Sequence, residues 1–600
     1  MIDCARRVAT SALMAFILGT SLTGQALAFD VNLNTQGATD SLTGAISNAS
    51  LVLAAKRDGI TDPQDVLSSA QADYGRIVSA LYENGYFGPV VSILVDGREA
   101  ADIPPLSRLT SITRVDLVVT PGPGFRLGTA QVAPLAPGTT LPRGFRSGEP
   151  AGTTIISDTA KASVEAWRAI GNAKATVSDQ DISADHKTEE LDVRLTMAPG
   201  PRVSFGKLNI VGSSKVREFR IRDMTGSPEG DVFDPVVLER MAARLRRSGV
   251  FSSVSLRESD NLGPNASMDI DVTLVDAKPR RYGIGALIMS TEGLTVSGYW
   301  LHRNLFNGAE RLRIDGEVSG LGGETGGYDY HLGFSLTRPS TFTKETDLYI
   351  LGEIEQLDEP LYLSRQANIA VGFTKYFSKE LQAELGVGYR FSDVEDGFGS
   401  RTFSHLTLPV AGTWDKRDDL LNPTKGFYLR AEGLPFVGLG GSATGGRAYA
   451  DARIYRGFGA ENGVVLAGRL QFGTILGSSL AQTPPDLLFL SGGSGTVRGL
   501  PYQSQSVTIG GVETGGRSFI GLAGEARVKV TDKISAVAFY DAGYVGENSF
   551  VDATGGWQSG AGLGIRYNTG IGPIRLDVAT PVQGSSASDI QFYIGIGQAF

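Results

Sequence analysis

Along its second half the chain alternates between apolar and polar residues. Within Arg311 to Val318, Leu312, Ile314 and Val318 share one face of an extended strand, and Arg313, Asp315 and Glu317 share the other. Leu522, Ala526 and Val528 stand opposite Glu525, Arg527 and Lys529, and Ile574, Leu576 and Val578 alternate with Arg575, Asp577 and Ala579. The period-two pattern predicts sixteen antiparallel strands from about Tyr282 onward. An apolar face turned out and a charged face turned in describe a barrel with a wet lumen; a soluble sandwich alternates too, but buries its apolar faces against each other. An even strand number leaves both ends of the barrel on one side of a membrane. The stretch from about Thr474 to Arg517 is then a loop on the far side. Asp415 to Gly426 is a turn on the side of the residues that precede the barrel.

Those preceding residues carry a helical period as well. Tyr74, Ile77, Val78, Leu81 and Tyr82 form a stripe at i, i+3, i+4, i+7 and i+8, and Gly85 follows as a stop. Asp234 is placed to cap a helix that begins with Pro235, presents Leu238, Met241 and Leu245, and stops at Gly249. A weaker stripe holds Val164 and Trp167 before Gly171. Three alternating strands recur at about 80 residues, the size of a small α+β module. They are Val115 to Val119, Leu191 to Leu195 and Ile270 to Leu274, each followed by a proline or Pro-Gly break. The expected architecture is α+β modules at 29–108, 115–198 and 199–278, then an all-β barrel at 280–600.

The N-terminus predicts export. Arg6 and Arg7 precede the apolar run Val8 to Leu22, and Ala26-Leu27-Ala28 has the form of a cleavage site, so residues 1–28 read as a signal peptide. The only cysteine, Cys4, falls in that segment, which leaves no thiol or disulfide in the expected mature chain. Beyond it no apolar run reaches the length of a spanning helix, so any membrane crossing is by strands. A net charge of −9 offers no basic footprint for nucleic acid.

Motifs sharpen the class. Leu81-Tyr82-Glu83-Asn84-Gly85-Tyr86-Phe87 resembles the helix-to-strand joint of POTRA modules, which the resemblance implies bind chains by adding a strand to a sheet edge. Asp415, Arg417, Asp418, Pro423 and Gly426 make a D-x-R-D…P…G turn. The long loop carries Val497-Arg498-Gly499, followed by Leu500 where the family pattern has an aromatic, so Tyr502 is the candidate to take over that packing. Glu525-x-Arg527 and Phe539-x-Asp541-x-Gly543 come next. In this order the motifs resemble the BamA/TamA superfamily of outer-membrane insertases and two-partner translocators. Glu525 and Asp541 are expected on inward faces of adjacent strands, where two carboxylates repel unless a cation joins them. Arg498 is the expected partner, because a guanidinium can engage carboxylates through two parallel bonds. Phe592, Ile594, Ile596 and Phe600 share one parity and resemble the signal by which such barrels are themselves recognised. Gly595 and Gly597, with Gly283 and Gly285 in the first strand, leave little side chain to fix register at the seam.

The resemblance is strongest to the TamA-like branch. It implies a factor in the Gram-negative outer membrane, with periplasmic modules, that inserts or translocates client proteins such as autotransporters. Its implied partners are a TamB-like inner-membrane-anchored protein, unfolded clients and the bilayer. A BamA-like general assembly factor, which has five modules, and a two-partner secretion transporter, which has two, stay open as alternatives. His186, His302, His331 and His405 are scattered, and the glycine-rich stretches lack a P-loop lysine, so no enzyme activity, metal or cofactor is expected.

Overall fold

The computed structural model describes residues 29–600 apart from 106, 108, 290–292, 324–325, 460–461, 571 and 585–589. The expected signal peptide, with Arg6, Arg7 and Cys4, lies outside the described residues.

In the first module, Asp62 accepts from the backbone N–H groups of Gln64 (2.8 Å) and Asp65 (3.3 Å), and Pro63 opens a helix that runs to Glu83. Its Val66, Leu67, Ala70, Ile77 and Leu81 face a core completed by Ile93, Val115, Leu117 and Val119. The four-stranded sheet beneath has Asp30–Thr35 parallel to Arg114–Thr120, then Val90–Val95 and Arg98–Glu99, so the Val115 to Val119 strand belongs to the first module rather than opening the second at 115 as expected. Two shorter helices, Asp40–Ala49 and Leu51–Arg57, are joined at the buried Asp73. Its carboxylate accepts from Ser50 Oγ and from the backbone N–H groups of Leu51 and Val52, so two of the unpaired donors that open the second helix are satisfied.

The second module packs one helix, Thr153–Ala169, on a three-stranded sheet in which Glu190–Ala198 lies between Arg126–Ala133 and Thr176–Asp185. Leu191, Val193, Leu195 and Met197 point to its core, as the alternation requires. The third module has helices Glu218–Thr225 and Pro235–Arg247 and strands Ser204–Val211, Phe251–Leu262 and Ser267–Asp276, with the last of these central. Asp234 caps the second helix through the Val236 N–H (2.8 Å), and Gly249 leaves it at φ +67°. Where a further module would begin, Pro279 leads into the first barrel strand instead.

The barrel closes through seventeen strand segments, from Arg280–Met289 to Gln591–Ile596. Gly399–Thr407 and Val410–Asp415 both pair with Leu381–Asp396 on one side and Lys425–Gly438 on the other. They are one crossing interrupted at Leu408–Pro409, because proline supplies no N–H to a ladder. The wall therefore crosses sixteen times, with neighbours antiparallel throughout. Ile284, Leu332, Phe334, Ile369 and Leu563 are exposed on the outer face, while the facing parity carries Asp315, Glu353, Glu525, Asp541 and Asp577. No helix among the described residues is long and apolar enough to cross a membrane.

Candidate functional site

The connection between Val464–Leu476 and Ser518–Lys529 is a packed body rather than an open loop. Leu480, Leu488, Phe489 and Val507 form an apolar core with Ile475, Phe519 and Val545 of the wall. Arg447 stacks over the Phe489 ring at 4.6 Å and donates to the Leu487 carbonyl, and Arg390 pairs with Asp486. Gln505 donates to the carbonyls of Gly543 and Gly556. These contacts hold the segment inside the barrel.

At its inner tip, Arg498 is 2 % exposed. Its Nε and Nη2 donate to the two oxygens of Asp541 at 2.7 and 2.9 Å, and its Nη1 donates to Glu525 Oε1 at 2.6 Å. The Asp541 carboxylate also accepts from the Arg498 backbone N–H, and the guanidinium sits 3.6 Å above the Phe539 ring. The fork across Asp541 fixes the orientation of Arg498, which a point-like ammonium could not do.

The structure brings in residues that the motifs do not mark. Asp577 lies 3.4 Å from Arg498 Nη1 and pairs with Arg566, with Arg575 at 3.9 Å. Arg527 donates to Glu525 at 2.9 Å, and Arg566 lies 3.8 Å from the same carboxylate. Six buried charges, from Arg498, Arg527, Arg566, Glu525, Asp541 and Asp577, thus share one network, with the partly buried Arg575 at its edge. Buried charges persist only when paired and hydrogen-bonded, so the network specifies where the tip can sit. Arg575 and Asp577 are visible in the sequence as an alternating polar face, but their convergence on Arg498 depends on register across four strands.

Val497 and Leu500 are buried beside Arg498, at 0 and 1 % exposure. Tyr502, the expected stand-in for the missing aromatic, is half-buried and donates its hydroxyl to Glu359 (3.0 Å). Gly499 has φ +96°, and a Cβ there would stand 2.6 Å from the Thr580 carbonyl oxygen. Only glycine serves both the left-handed turn and that close approach.

Asp415 engages Arg417 through both oxygens at 2.9 and 2.7 Å. Asp418 accepts from the N–H groups of Asp419, Thr424 and Lys425 and from Thr424 Oγ1, which folds the turn onto itself. Gly426 (φ +97°) lets it pass over the Lys416 carbonyl, and the Pro423 carbonyl accepts from Arg527 Nη1 at 3.4 Å. The turn reaches the residues after the last strand: Gln598 donates its backbone N–H to Leu421 and its side-chain amide to Asn422. Burial pushes the Asp418 carboxyl up, but the Thr424 hydroxyl and the three backbone donors outweigh it and leave the group below its ordinary value.

The last strand corrects the expected terminal signal. Phe592, Ile594 and Ile596 face outward together, and Gly595 lies opposite Arg575. Phe600 does not share their face. The strand stops at Ile596, Gly597 turns at φ +91°, and Phe600 packs inside the barrel against Tyr455 and Ala467. Arg527 Nη2 donates to its backbone oxygen at 3.2 Å. Parity projected through a left-handed glycine has no meaning, because the turn re-aims every side chain after it.

Closure is the weakest part of the wall. Among the described residues, first and last strands share one residue pair, Met289 with Tyr593, whereas the first strand pairs with its other neighbour from Arg280 to Met289. Gly283 is not a loosening element on that paired side: the Tyr299 ring lies where its Cβ would be, and Arg313 stacks on that ring at 4.3 Å. Gly285 faces Ser297, whose Oγ is 2.9 Å from the position of a Cβ. Tyr593 also points its hydroxyl inward, where it accepts from the Gly499 N–H at 3.0 Å. The residue that closes the seam therefore holds the lumen segment as well. Among the described residues no group of three or more His, Asp or Glu converges as metal ligands would.

Comparison with known proteins agrees with this geometry. A solved structure of BamA from Haemophilus ducreyi lacking POTRA domains 1–3 is 16 % identical over 78 % of this chain and 99 % of its own, with a TM-score of 0.59. CdiB from Acinetobacter baumannii is 13 % identical over 79 % of this chain and 90 % of its own, with a TM-score of 0.50. At these identities the likeness is one of fold. The family model for POTRA, the surface antigen variable number repeat, matches residues 203–275. With the Omp85 superfamily domain matching residues 304–600, C-terminal to that repeat, the chain belongs to the Omp85 superfamily of outer-membrane β-barrel proteins.

Proposed function

We propose that this protein inserts or translocates client proteins such as autotransporters at the outer membrane, with its modules in the periplasm and a TamB-like inner-membrane-anchored protein as partner. The observation that carries the reading is the seam, held by one backbone pair among the described residues, whereas the first strand pairs with its other neighbour along its whole length. An unpaired strand edge offers donors and acceptors without asking for a sequence, so a client strand can pair there. A second edge lies in the middle module, where Thr176–Asp185 is paired on one side only and exposed nearly throughout. The lumen, occupied by the 477–517 segment and braced by the charged network, suits a gate better than an open pore. The modules hand over extended chains, the seam pairs them, and no nucleotide is required.

Cysteines at Ile288 and Ile594, next in register beyond Met289 and Tyr593, test the seam. Oxidation should abolish client insertion into proteoliposomes and reduction should restore it; full insertion by the cross-linked protein would refute the seam mechanism. Depletion followed by outer-membrane proteomics tests the client class. Loss of a few autotransporters fits the TamA-like role, loss of all barrels fits a BamA-like one, and an unchanged proteome refutes both.

A further inference from the structure

The third module and the barrel rim enclose a cleft of about 1050 Å³. Two of its arginines build it. Arg220, 4 % exposed, donates to the carbonyls of Gly308 and Pro339 and to Asp223, and Arg244 donates to Glu345 at 2.7 Å and to the Thr225 carbonyl. Arg247 adds a second bond to Glu345 and lies 3.9 Å above the Tyr376 ring. The cleft is thus braced by ion pairs rather than left as a gap between loosely apposed surfaces.

Of its other cations Arg222 pairs with Glu218, but the remaining four are not used in this way. Lys344 Nζ donates to the Gly226 carbonyl and Lys375 Nζ to Thr343 Oγ1, and neither they nor Arg240 has a carboxylate partner among the described residues. Among the described residues Arg338 reaches one carboxylate, Glu310, at 3.9 Å. The acidic lining is Asp223, Glu229 and Glu345, of which Asp223 and Glu345 are engaged by arginines. Two donors on the lining, Ser227 Oγ and Arg244 Nε, are buried without a hydrogen-bond partner, and the Arg244 side chain is nine-tenths buried. With Arg240, Lys344, Lys375 and the loosely held Arg338 set against Glu229, the one lining carboxylate without a cation partner among the described residues, the cleft carries an excess of positive charge that suits an anion.

The position of the cleft says which anion. Arg338 continues the outward parity of Leu332, Phe334 and Leu336, and Lys375 that of Ile369, Val371 and Phe373. Both cations therefore end apolar, membrane-facing rows. Between them, Phe342 is 86 % exposed on the connecting turn, 5.4 Å from the Phe373 ring. Exposed aromatics beside outward cations at the end of an apolar band mark the headgroup level, where lysine stems follow acyl chains and their charges meet phosphates.

We propose that this cleft binds the phosphate headgroup of an anionic phospholipid from the periplasmic leaflet, a role that rests on the membrane placement proposed above. Arg240, Arg338, Lys344 and Lys375 hold the phosphate, and Phe342 lies along the acyl chains. A lipid seated there joins the third module to the rim at the turn between the fourth and fifth barrel strands.

The test is native mass spectrometry of the full-length protein from phosphatidylcholine nanodiscs containing graded phosphatidylglycerol. Wild type should retain phosphatidylglycerol, and the triple variant Arg240→Gln, Lys344→Gln, Lys375→Gln should bind it about a hundredfold more weakly, at roughly fivefold per surface cation. Heat-modifiable mobility on gels establishes that the variant barrel is folded. An equal loss in Lys416→Gln, Lys425→Gln, Lys533→Gln, at the same end of other strands, would overturn the site in favour of diffuse attraction. Competition by millimolar inorganic phosphate as effective as that by lipid would overturn the lipid assignment. Wild type that enters both bilayers without lipid preference overturns the site alone; wild type that enters neither overturns the membrane placement with it.

Discussion

Replacing Arg498 with alanine tests the lumen network where the geometry is most specific. Asp541 loses both bonds of the fork and keeps only the N–H of residue 498, whereas Glu525 keeps Arg527 at 2.9 Å and Asp577 keeps Arg566. Nearly all the damage therefore falls on one carboxylate, which is 1 % exposed. Breaking a buried ion pair by removing one partner costs about 3–5 kcal/mol. That is roughly two to nearly four decades in the equilibrium by which the lumen segment opens. Hydrogen–deuterium exchange of the protein in detergent reads this directly as lost protection of the Val497 to Leu500 amides. Bilayer conductance should change in parallel, from largely closed toward frequent opening.

Double-mutant cycles distinguish the network from general damage to the barrel. Arg498 should couple more strongly to Asp541, which it grips twice, than to Glu525, which it meets through Nη1 alone. Protection in Arg498→Ala within about threefold of wild type would refute the reasoning, since the factor expected from a buried pair is far larger. A Glu525 coupling larger than the Asp541 coupling would refute the assignment of partners.

Two further outcomes follow from neighbouring contacts. Tyr593→Phe removes the acceptor of the buried Gly499 N–H, at a cost of about 1–3 kcal/mol for an orphaned donor. Exchange should rise both at Gly499 and along Gln591–Ile596; a rise at Gly499 alone would show that segment and seam are not coupled. At the third-module contact, burial raises the Glu345 carboxyl, but the hydrogen bond and charge of Arg244 and the charge of Arg247 outweigh it, leaving the group below its ordinary 4.5. A depressed carboxyl stabilises above its unfolded value and loses that contribution as pH falls through its folded one. Spin-label distances between helix Pro235–Arg247 and the 339–345 turn should stay narrow from about pH 8 to about pH 5 and broaden only below the ordinary glutamate range. Glu345→Gln should broaden them already at neutral pH, and an unchanged distribution in that variant would refute the role of the pair.

The barrel was legible because lipid and water impose opposite demands on the two faces of each strand. Leu312, Ile314 and Val318 against Arg313, Asp315 and Glu317 therefore show both the strand and its facing. The helix of the third module was legible through Asp234, Pro235 and Gly249, whose positions follow from local backbone chemistry. Arg498, Glu525 and Asp541 could be matched because two like charges in a lumen need a cation and a long segment carried one. Asp577 and Arg566 could not, because which inward charges meet depends on register and on the depth to which the segment descends. Phe600 misled for a related reason. Its apolar parity with Ile596 is real in the sequence, but Gly597 at φ +91° lies between them, and a left-handed turn is decided by what the chain packs against afterwards.

The correction at Phe600 also changes what the seam consists of. A last strand running on to an outward Phe600 would have offered the first strand a longer partner and a firmer closure. Six residues remain instead, and the chain after Gly597 is held by Arg527 and by the turn at Leu421 and Asn422. Arg527 also pairs with Glu525, which Arg498 grips, so the inward tail and the lumen segment attach to the same carboxylate. Tyr593 makes the second connection, pairing with Met289 by its backbone and with Gly499 by its hydroxyl. The short strand and the tail after it are thus fixed from inside the barrel by Tyr593, by Arg527 and by Arg566, which donates to Gln598 at 2.9 Å, and across the seam by one pair among the described residues. Withdrawal of Arg498 would remove the Tyr593 contact and loosen the carboxylates that Arg527 and Arg566 share with it, whereas rupture of the Met289 pair would leave all three in place. The asymmetry orders the proposed cycle: the seam can part while the lumen stays occupied, and release of the lumen segment destabilises a seam that has little else to hold it.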